Sequence, residues 1–367
     1  MKKILIVDPN SSGGHNTYCH SLSKVLAQNG NEVAYLNAQC EKIENGYTHE
    51  LINISENGLF NKVKKYYSFF KKINFFYSNG YRIHFQVLNY QMMFVLMFLI
   101  IKSNITITYT LHNLIPHSFN VKEKIKYKLL HFFLQKKCVD KIFYHYEYLK
   151  NVDNDIIDKM PIRIKNKMVF VPHHLFENNI KINSKTFDNN KIEILIFGVI
   201  RDNKGVIEFF RKIKKENINL KKLNFVIAGK FIDYIEDDLL KEINHLTNLN
   251  IQIINKFISE DEKEKLFSNC DYILLPYKKT FLAQSGLVLD AYQYQKPLIV
   301  SSNISLKYLV QTENTGLFYK DDNFKNIFEN IVPSKTTYDT LCRNISNVIK
   351  NKYNNKSIAS LYEKLVG

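Results

Sequence analysis

The chain has 367 residues, of which 45% are hydrophobic, 13% aromatic and 23% charged. Single hydrophobic cores stop growing at about 250–300 residues, so this length predicts two domains. The apolar content excludes a disordered chain, and 12 Gly with 7 Pro exclude a collagen-like or low-complexity one. The net charge of +16 favours an anionic partner, such as nucleic acid, an acidic membrane or a phosphorylated small molecule.

The positive charge is concentrated in one stretch. Between Phe60 and Lys141 there are fourteen Lys and Arg and two acids, a net charge of +12. Within it, Phe60–Tyr77 and Val121–Lys137 alternate lysines with aromatic and aliphatic residues. Such basic helices suit an anionic membrane surface, although a helix with an aromatic core face and a solvated lysine face gives the same pattern. No nucleic-acid partner is expected, because no nucleic-acid-binding motif is present.

Cysteine usage and hydropathy indicate a cytoplasmic protein, with association at the inner face of the cell membrane as a further expectation. The five cysteines are scattered and include no CxxC pair, which fits a reducing compartment. The opening residues Met1–Asp8 predict a first strand and not a signal peptide. The longest apolar run, Met92–Ile101, is about half of what a membrane-spanning helix needs.

In the first half of the chain, short β-branched runs alternate with helical patterns. Strands that alternate with helices predict right-handed βαβ units and a mostly parallel sheet. The predicted strands are Ile4–Val7, Glu32–Leu36, Ile105–Thr110, Lys141–Tyr144 and Met168–Val171, and the predicted helices include Tyr18–Gln28 and Lys122–Lys136.

A polar stretch, Asn178–Asn190, interrupts this alternation, which then restarts. The second half therefore predicts a second doubly wound domain, and the chain as a whole two tandem Rossmann-like domains. The predicted strands are Ile192–Phe197, Leu223–Ala228, Ile251–Ile254, Tyr272–Leu275 and Pro297–Val300, and the predicted helices are Val206–Lys214, Asp261–Ser268, Gly286–Tyr294 and Ser357–Leu365.

Ligands of such sheets bind beyond the carboxyl ends of the strands, so the loops there are the candidate sites. After the first strand, Gly13 and Gly14 allow a ligand to approach the backbone, or simply make a tight turn. The dinucleotide fingerprint GxGxxG is absent, which weakens a nicotinamide or flavin interpretation. After a later strand, His112 could bind a substrate hydroxyl or act as a base, or it could be a satisfied buried histidine.

The second half offers a phosphate site. Arg201 and Lys204 follow a strand and could clamp a diphosphate, although a solvated basic turn is the alternative. Ser285 and Gly286 begin a helix whose amides would face a ligand, and Asp290 lies one turn further, where it could accept hydrogen bonds from ribose. The simpler interpretation is that Ser285 caps the helix and Asp290 complements its dipole. No metal site is predicted, since the histidines show no HxxxH spacing.

Six segments match, in order, motifs of one enzyme family. The chain resembles a retaining glycosyltransferase of the GT-B fold, family 4, the group that makes bacterial polysaccharides, including capsule and O-antigen, and glycolipids. This resemblance spans nearly the whole chain and implies two tandem Rossmann-like domains facing across a cleft. The matching segments are Gly13-Gly14 with Tyr18, Thr110–His117, Phe197–Gly205, Val226–Gly229, Leu275–Tyr277 and Gln284–Ala291.

The resemblance implies a role for each part of the chain. Residues 1–180 would bind the acceptor, residues 190–345 the nucleotide-sugar, and a helix within 346–367 would return to the first domain. The implied catalytic residues are His112, Arg201 and Lys204; the implied donor-binding residues are Gly14, Gly198, Arg201, Lys204, Gln284, Ser285, Gly286, Leu287 and Asp290; the implied acceptor-side residues are Gly13, His15, Asn113, His117 and His145.

The implied reaction moves a hexosyl group from a nucleotide-sugar to a lipid-linked glycan, such as one on a polyprenyl diphosphate, with retention and without metal or cofactor. One position departs from the family, because its first loop glutamate falls on Leu282 and only the second has a counterpart, Asp290. Two alternatives stay open: a nucleotide-sugar epimerase of the same fold, or a catalytically silent binding protein. Sugar transfer to an added acceptor would separate them.

Overall fold

The chain forms two compact units, one of Met1–Phe176 with Lys352–Gly367 and one of Glu177–Asn351. The roles assigned to the two predicted domains stay predictions. The structure is a computed structural model, and the residues it describes are 1–8, 14–37, 48–52, 59–86, 90–112, 121–145, 147–148, 160–175, 186–232, 235–244, 246, 249–279, 281 and 285–366.

The described part of the first unit contains a parallel sheet of seven strands in the order β3-β2-β1-β4-β5-β6-β7. Its interior strand β1 is buried from Ile4 to Asp8, as expected of a strand covered on both faces. The order reverses between β1 and β4. The strands are β1 Lys3–Asp8, β2 Glu32–Asn37, β3 Thr48–Leu51, β4 Arg82–Phe85, β5 Ile107–Thr110, β6 Val139–Tyr144 and β7 Met168–Phe170.

Helices flank this sheet, and the last helix of the chain belongs to the same unit. Ile358 and Tyr362 of that helix lie in one hydrophobic cluster with Ile4, Ile6 and Tyr18. The described helices are Gly14–Gln28, Leu59–Ser78, Tyr90–Ser103, Val121–Leu134, Ile162–Lys165 and Asn355–Val366. Of the helices in the ranges given above, none combines the length and the apolar character that a membrane crossing requires.

The second unit repeats the architecture with six described parallel strands in the order β10-β9-β8-β11-β12-β13. Its core is aromatic, with Phe209, Phe210 and Phe225 packed together. The strands are β8 Ile192–Phe197, β9 Leu223–Ala228, β10 Asn250–Ile254, β11 Tyr272–Leu275, β12 Leu298–Val300 and β13 Gly316–Phe318; the helices are Asp202–Lys204 (3-10), Val206–Glu216, Ile235–Ile243, Glu260–Asn269, Gly286–Gln293, Ile304–Glu313, Phe324–Asn326, Ile327–Ile331 (π) and Lys335–Asn351.

Three strands escaped sequence prediction: β3, β4 and β13. Each has only three or four residues, and β3 and β4 carry His, Glu or Arg, so no apolar run marks them. Several boundaries also differ. Strand β5 begins at Ile107, two residues later than predicted, and β6 at Val139, two residues earlier than predicted. The helix predicted as Lys122–Lys136 ends at Leu134.

Candidate functional site

In the second unit, the strand order reverses between β8 and β11, which pair directly. A doubly wound sheet binds its ligand outside the carboxyl ends of the strands at such a reversal. The segments that follow β8 and β11 contain Gly198, Arg201, Lys204 and Ser285. The fold therefore brings the predicted donor-binding segments to the same edge of one sheet.

The turn after β8 is fixed against the segment after β11. Gly205 ends the 3-10 turn Asp202–Lys204 with a φ of +65°. A Cβ atom at Gly205 would lie 2.1 Å from the carbonyl oxygen of Pro276, so only glycine fits there. The Lys278 N–H also donates to the Asn203 carbonyl oxygen at 3.1 Å. The position of Lys204 is thus set by backbone contacts across the strand ends.

Lys204, Tyr277 and Ser285 form a chain of hydrogen bonds. The Lys204 ammonium lies 2.5 Å from the Tyr277 hydroxyl and 3.8 Å from the centre of its ring, and the hydroxyl lies 3.0 Å from Ser285 Oγ. An ammonium can only donate, so the Tyr277 oxygen accepts from Lys204, whereas either hydroxyl can be the donor in the contact between Tyr277 and Ser285. Tyr277 thus links the Lys204 cation to the hydroxyl at the start of the next helix.

The helix Gly286–Gln293 begins immediately after Ser285. The N–H groups of Gly286 and Leu287 lie in its first turn, where no earlier helical carbonyl can accept from them. A helix N-terminus also carries a partial positive charge. Donors and positive charge thus converge at the end of β11, an arrangement that suits a phosphate group.

Asp290 lies one turn into the same helix and pairs with Lys263 of the helix Glu260–Asn269, with Nζ and Oδ1 2.8 Å apart. Burial by itself would lower the pKa of Lys263, but the Asp290 carboxylate outweighs it and raises that pKa above its usual value. The predicted ribose-binding carboxylate is therefore held by a cation.

In the first unit, strand ends bring His112 and His145 together, with ring centres 5.8 Å apart. His112 Nε2 lies 3.0 Å from Gln86 Oε1, and the His112 ring packs edge-on against Tyr18. Gln86 follows β4, a strand missed by the sequence analysis. A role for His112 beside a donor sugar stays a prediction.

His145 belongs to a buried hydrogen-bond network. Its Nδ1 lies 2.7 Å from the Val171 carbonyl oxygen, which can only accept, so Nδ1 carries the proton. The other nitrogen, Nε2, then accepts from the Tyr18 hydroxyl at 3.0 Å, and Tyr18 accepts from Tyr362 at 2.7 Å. Burial lowers the pKa of His145 to about 4, so the ring is neutral at pH 7.

Several predicted site residues lie outside the described residues: Gly13, Asn113, His117, Gln284 and also Leu282. Gly14 and His15 lie in the helix Gly14–Gln28, but their side chains are outside the description. Their roles stay predictions.

The sequence analysis did not single out two residues near the predicted donor-binding segments, Tyr277 and Lys263. Tyr277 lies directly after a strand, in a segment that matches a family motif, and this position was the available signal. Lys263 gave none, because one lysine in a helix rich in Lys and Glu matches a solvated surface. Among the residues that the structure describes, no group of three or more His, Cys, Asp and Glu could hold a metal ion. Metal independence of the reaction stays a prediction.

Comparison with known proteins adds to this geometry. Residues 177–332 match the family model described as glycosyl transferases group 1. No curated protein matches the sequence of the chain. Similar solved structures include Anabaena HepE in complex with UDP and glucose, with 11% identity, a TM-score of 0.69 and 99% of each chain covered. A glycosyltransferase from Rickettsia africae has 13% identity and a TM-score of 0.67, over 99% of this chain and 97% of that chain. WaaG, a glycosyltransferase involved in lipopolysaccharide biosynthesis, has 10% identity and a TM-score of 0.65, over 99% of this chain and 100% of that chain.

These findings confirm the predicted fold class, two tandem Rossmann-like domains of the GT-B type. The match over residues 177–332 supports the resemblance to GT-B glycosyltransferases. It falls on the second unit, which contains the hydrogen-bond chain of Lys204, Tyr277 and Ser285.

Proposed function

We propose that this chain, with its GT-B fold and a second unit that matches the glycosyl transferases group 1, is a glycosyltransferase that uses a nucleotide-sugar donor. The observation that carries the proposal is the convergence of the Lys204 ammonium, the Ser285 hydroxyl and the start of the helix Gly286–Gln293 at the strand ends of the second unit. A diphosphate accepts hydrogen bonds from groups of this kind. HepE, a protein of similar fold, was solved with UDP and glucose bound.

In the proposed reaction, residues at the strand ends of the second unit stabilise the leaving group. As the bond between the anomeric carbon and the diphosphate breaks, negative charge accumulates on the diphosphate. Arg201, Lys204 and the helix N-terminus at Gly286 offset that charge. The donors that are already held in place, Lys204 and the helix amides, need no reorganisation during the reaction. The transfer proceeds with retention and without a metal ion, as the family resemblance implies.

The proposed acceptor is a lipid-linked glycan at an anionic membrane surface. The helix Leu59–Ser78 has an exposed stripe of residues four apart, Val63, Tyr67, Lys71 and Phe75. Residues at this spacing are neighbours on a helix surface. Exposed aromatic rings among lysines fit the interface of a bilayer with acidic headgroups. WaaG, another protein of this fold, takes part in lipopolysaccharide biosynthesis.

The experiment is nucleotide release by the purified protein across UDP-, GDP-, dTDP- and ADP-sugars, with EDTA present and a membrane extract as acceptor source. We expect release from one donor class, and Arg201→Ala should lower it by about a hundredfold or more, the cost of removing one charge-stabilising donor. Arg211→Ala is the matched control, because Arg211 pairs with Glu242 on the surface at 2.8 Å.

Equal rates for the two arginine variants would contradict the assigned role of Arg201. A changed sugar configuration without transfer to an added acceptor would identify an epimerase instead. Absence of both turnover and nucleotide binding would contradict the proposal as a whole.

A further inference from the structure

Lys263 and Asp290 form an ion pair that is mostly withdrawn from water. The side chains are 19% and 9% exposed, and Nζ lies 2.8 Å from Oδ1. Lys263 also lies 3.7 Å from Glu260, whose side chain is 90% exposed. Asp290 is therefore its main partner. Removing two charges from water costs free energy that surface pairs do not incur, so this pair is not an ordinary surface contact.

The position of Lys263 is fixed by the start of its own helix. Ser259 caps the helix Glu260–Asn269, its side chain accepting from the Glu262 N–H, while the Glu262 side chain accepts from the Ser259 N–H. This reciprocal capping sets where the first turn begins. Lys263 lies in that turn, so its ammonium is directed at Asp290 by a defined backbone.

Asp290 lies on the same helix face as the proposed phosphate site. It follows Gly286 by four residues and Leu287 by three, and such residues are about 5–6 Å apart on one face. In a nucleoside diphosphate the ribose is joined directly to the phosphates. A ribose with its phosphates at Gly286 and Leu287 would thus place its hydroxyls near Asp290. A carboxylate has about four lone pairs, so the contact of Oδ1 with Lys263 is compatible with accepting from ribose.

We infer that Lys263 is a positioning residue that fixes the Asp290 carboxylate against the ribose, an inference that rests on the proposed function. The site therefore selects ribonucleotides over 2′-deoxyribonucleotides. The donor class is then a ribonucleoside diphosphate sugar. A dTDP-sugar, which lacks the 2′-hydroxyl, is disfavoured.

The test is calorimetric binding of UDP, GDP and ADP, each beside its 2′-deoxy counterpart, with pyrophosphate as a ligand that has no ribose. We expect the protein to prefer the ribonucleotide by about tenfold or more, since a hydrogen bond to a charged group is being lost. Lys263→Met and Asp290→Asn should each remove most of that preference and leave pyrophosphate affinity within about twofold. Lys263→Arg should retain it, because the cation is kept.

Glu260→Gln is the matched control, since it alters only the exposed neighbour of Lys263, and it should keep the full preference. Thermal unfolding checks that each variant is folded, and Lys263→Gln replaces Lys263→Met if the latter is not. Ribonucleotide preference that survives in the Lys263→Met or Lys263→Gln protein overturns the inference, as does equal binding of both sugars by the unaltered protein. In that second case nucleotide binding persists and the proposed function stands. If the protein bound neither nucleotide nor pyrophosphate, both the inference and the proposed function would be contradicted.

Discussion

Tyr277 joins Lys204 and Ser285, the two residues of the second unit that we propose bind phosphate. It is 3% exposed, and its hydroxyl lies between the Lys204 ammonium and Ser285 Oγ. Its ring lies under the ammonium as well, so it holds Lys204 by a hydrogen bond and by a cation–π contact. One side chain therefore orients both a cation and a hydroxyl.

Replacing Tyr277 by Phe tests the hydroxyl separately from the ring. The ring would still contact the ammonium, but the link between Lys204 and Ser285 would be lost. We expect pyrophosphate and nucleoside diphosphate to bind about tenfold more weakly, the cost of one hydrogen bond with a charged partner, measured by calorimetry. Tyr67→Phe, at an exposed position of the first unit, is the control. Unchanged affinity in the Tyr277→Phe protein would contradict the assigned role.

Gly205 is the second residue on which this edge depends. Alanine there would have a strained φ of +65° and a Cβ atom 2.1 Å from the Pro276 carbonyl oxygen. Gly30 provides a matched control, because its φ is +87° and a Cβ atom would meet nothing within 4 Å. We expect Gly205→Ala to lower the free energy of unfolding by about 1–3 kcal/mol more than Gly30→Ala, the usual cost of overpacking. Urea unfolding followed by circular dichroism measures the free energy of unfolding of both variants. Equal losses would show that the turn accommodates a Cβ atom at Gly205 without extra cost, contrary to the prediction.

Of the four exposed aromatic side chains in the described part of the first unit, the helices Leu59–Ser78 and Val121–Leu134 contain three. Phe75 is 60% exposed and Phe132 is 55% exposed, and a lysine ammonium lies over the ring of Phe132 at 3.8 Å. Lysines and aromatic rings together contact both headgroups and acyl chains at a membrane interface. Not every lysine of these helices can contact a membrane surface, because Lys65 is only 5% exposed.

Charge reversal on the helix Leu59–Ser78 tests the membrane proposal. Lys64→Glu with Lys71→Glu should weaken binding to vesicles that contain anionic lipid by about tenfold or more at low salt, at about 1 kcal/mol for each lysine lost. The same reversals at Lys214 and Lys215, exposed on the helix Val206–Glu216 of the second unit, are the control. Cosedimentation with vesicles measures both variants. An equal decrease in the two would indicate a general charge effect and not a binding surface.

For the whole molecule, pH acts on stability through buried histidines of the first unit. Burial lowers the pKa of His145 to about 4 and, with repulsion from His145, that of His84 to about 3. Unfolded histidine titrates near 6.5, so as the pH falls below 6.5 the unfolded chain takes up protons that the folded chain does not. Stability is therefore lost as the pH falls from 6.5 toward 4.

Part of this pH dependence can be assigned to His145. Between pH 7 and pH 5, His145 alone should account for about 2 kcal/mol of the loss in the free energy of unfolding. His145→Gln cannot titrate, so its urea unfolding should depend on pH less steeply by about that amount. The same slope in both proteins would mean that His145 is protonated in the folded state, contrary to its burial.

The sequence by itself determined the two tandem parallel sheets and most of their longer strands. Ile192–Phe197, Leu223–Ala228 and Tyr272–Leu275 were predicted with the observed bounds, because each is an apolar run that is buried whatever it pairs with. It also predicted the shared edge of Lys204 and Ser285, since the carboxyl ends of parallel strands lie on one side.

Only the tertiary structure decided what those residues contact. Strand β4 has four residues with Arg and His among them, and only its pairing with β1 and β5 makes it a strand and places Gln86 beside His112. Lys263 meets Asp290 from a different helix, twenty-seven positions away in the chain. Apolar runs and helix starts are local properties that a sequence displays, whereas the partner of a polar side chain depends on how distant segments pack.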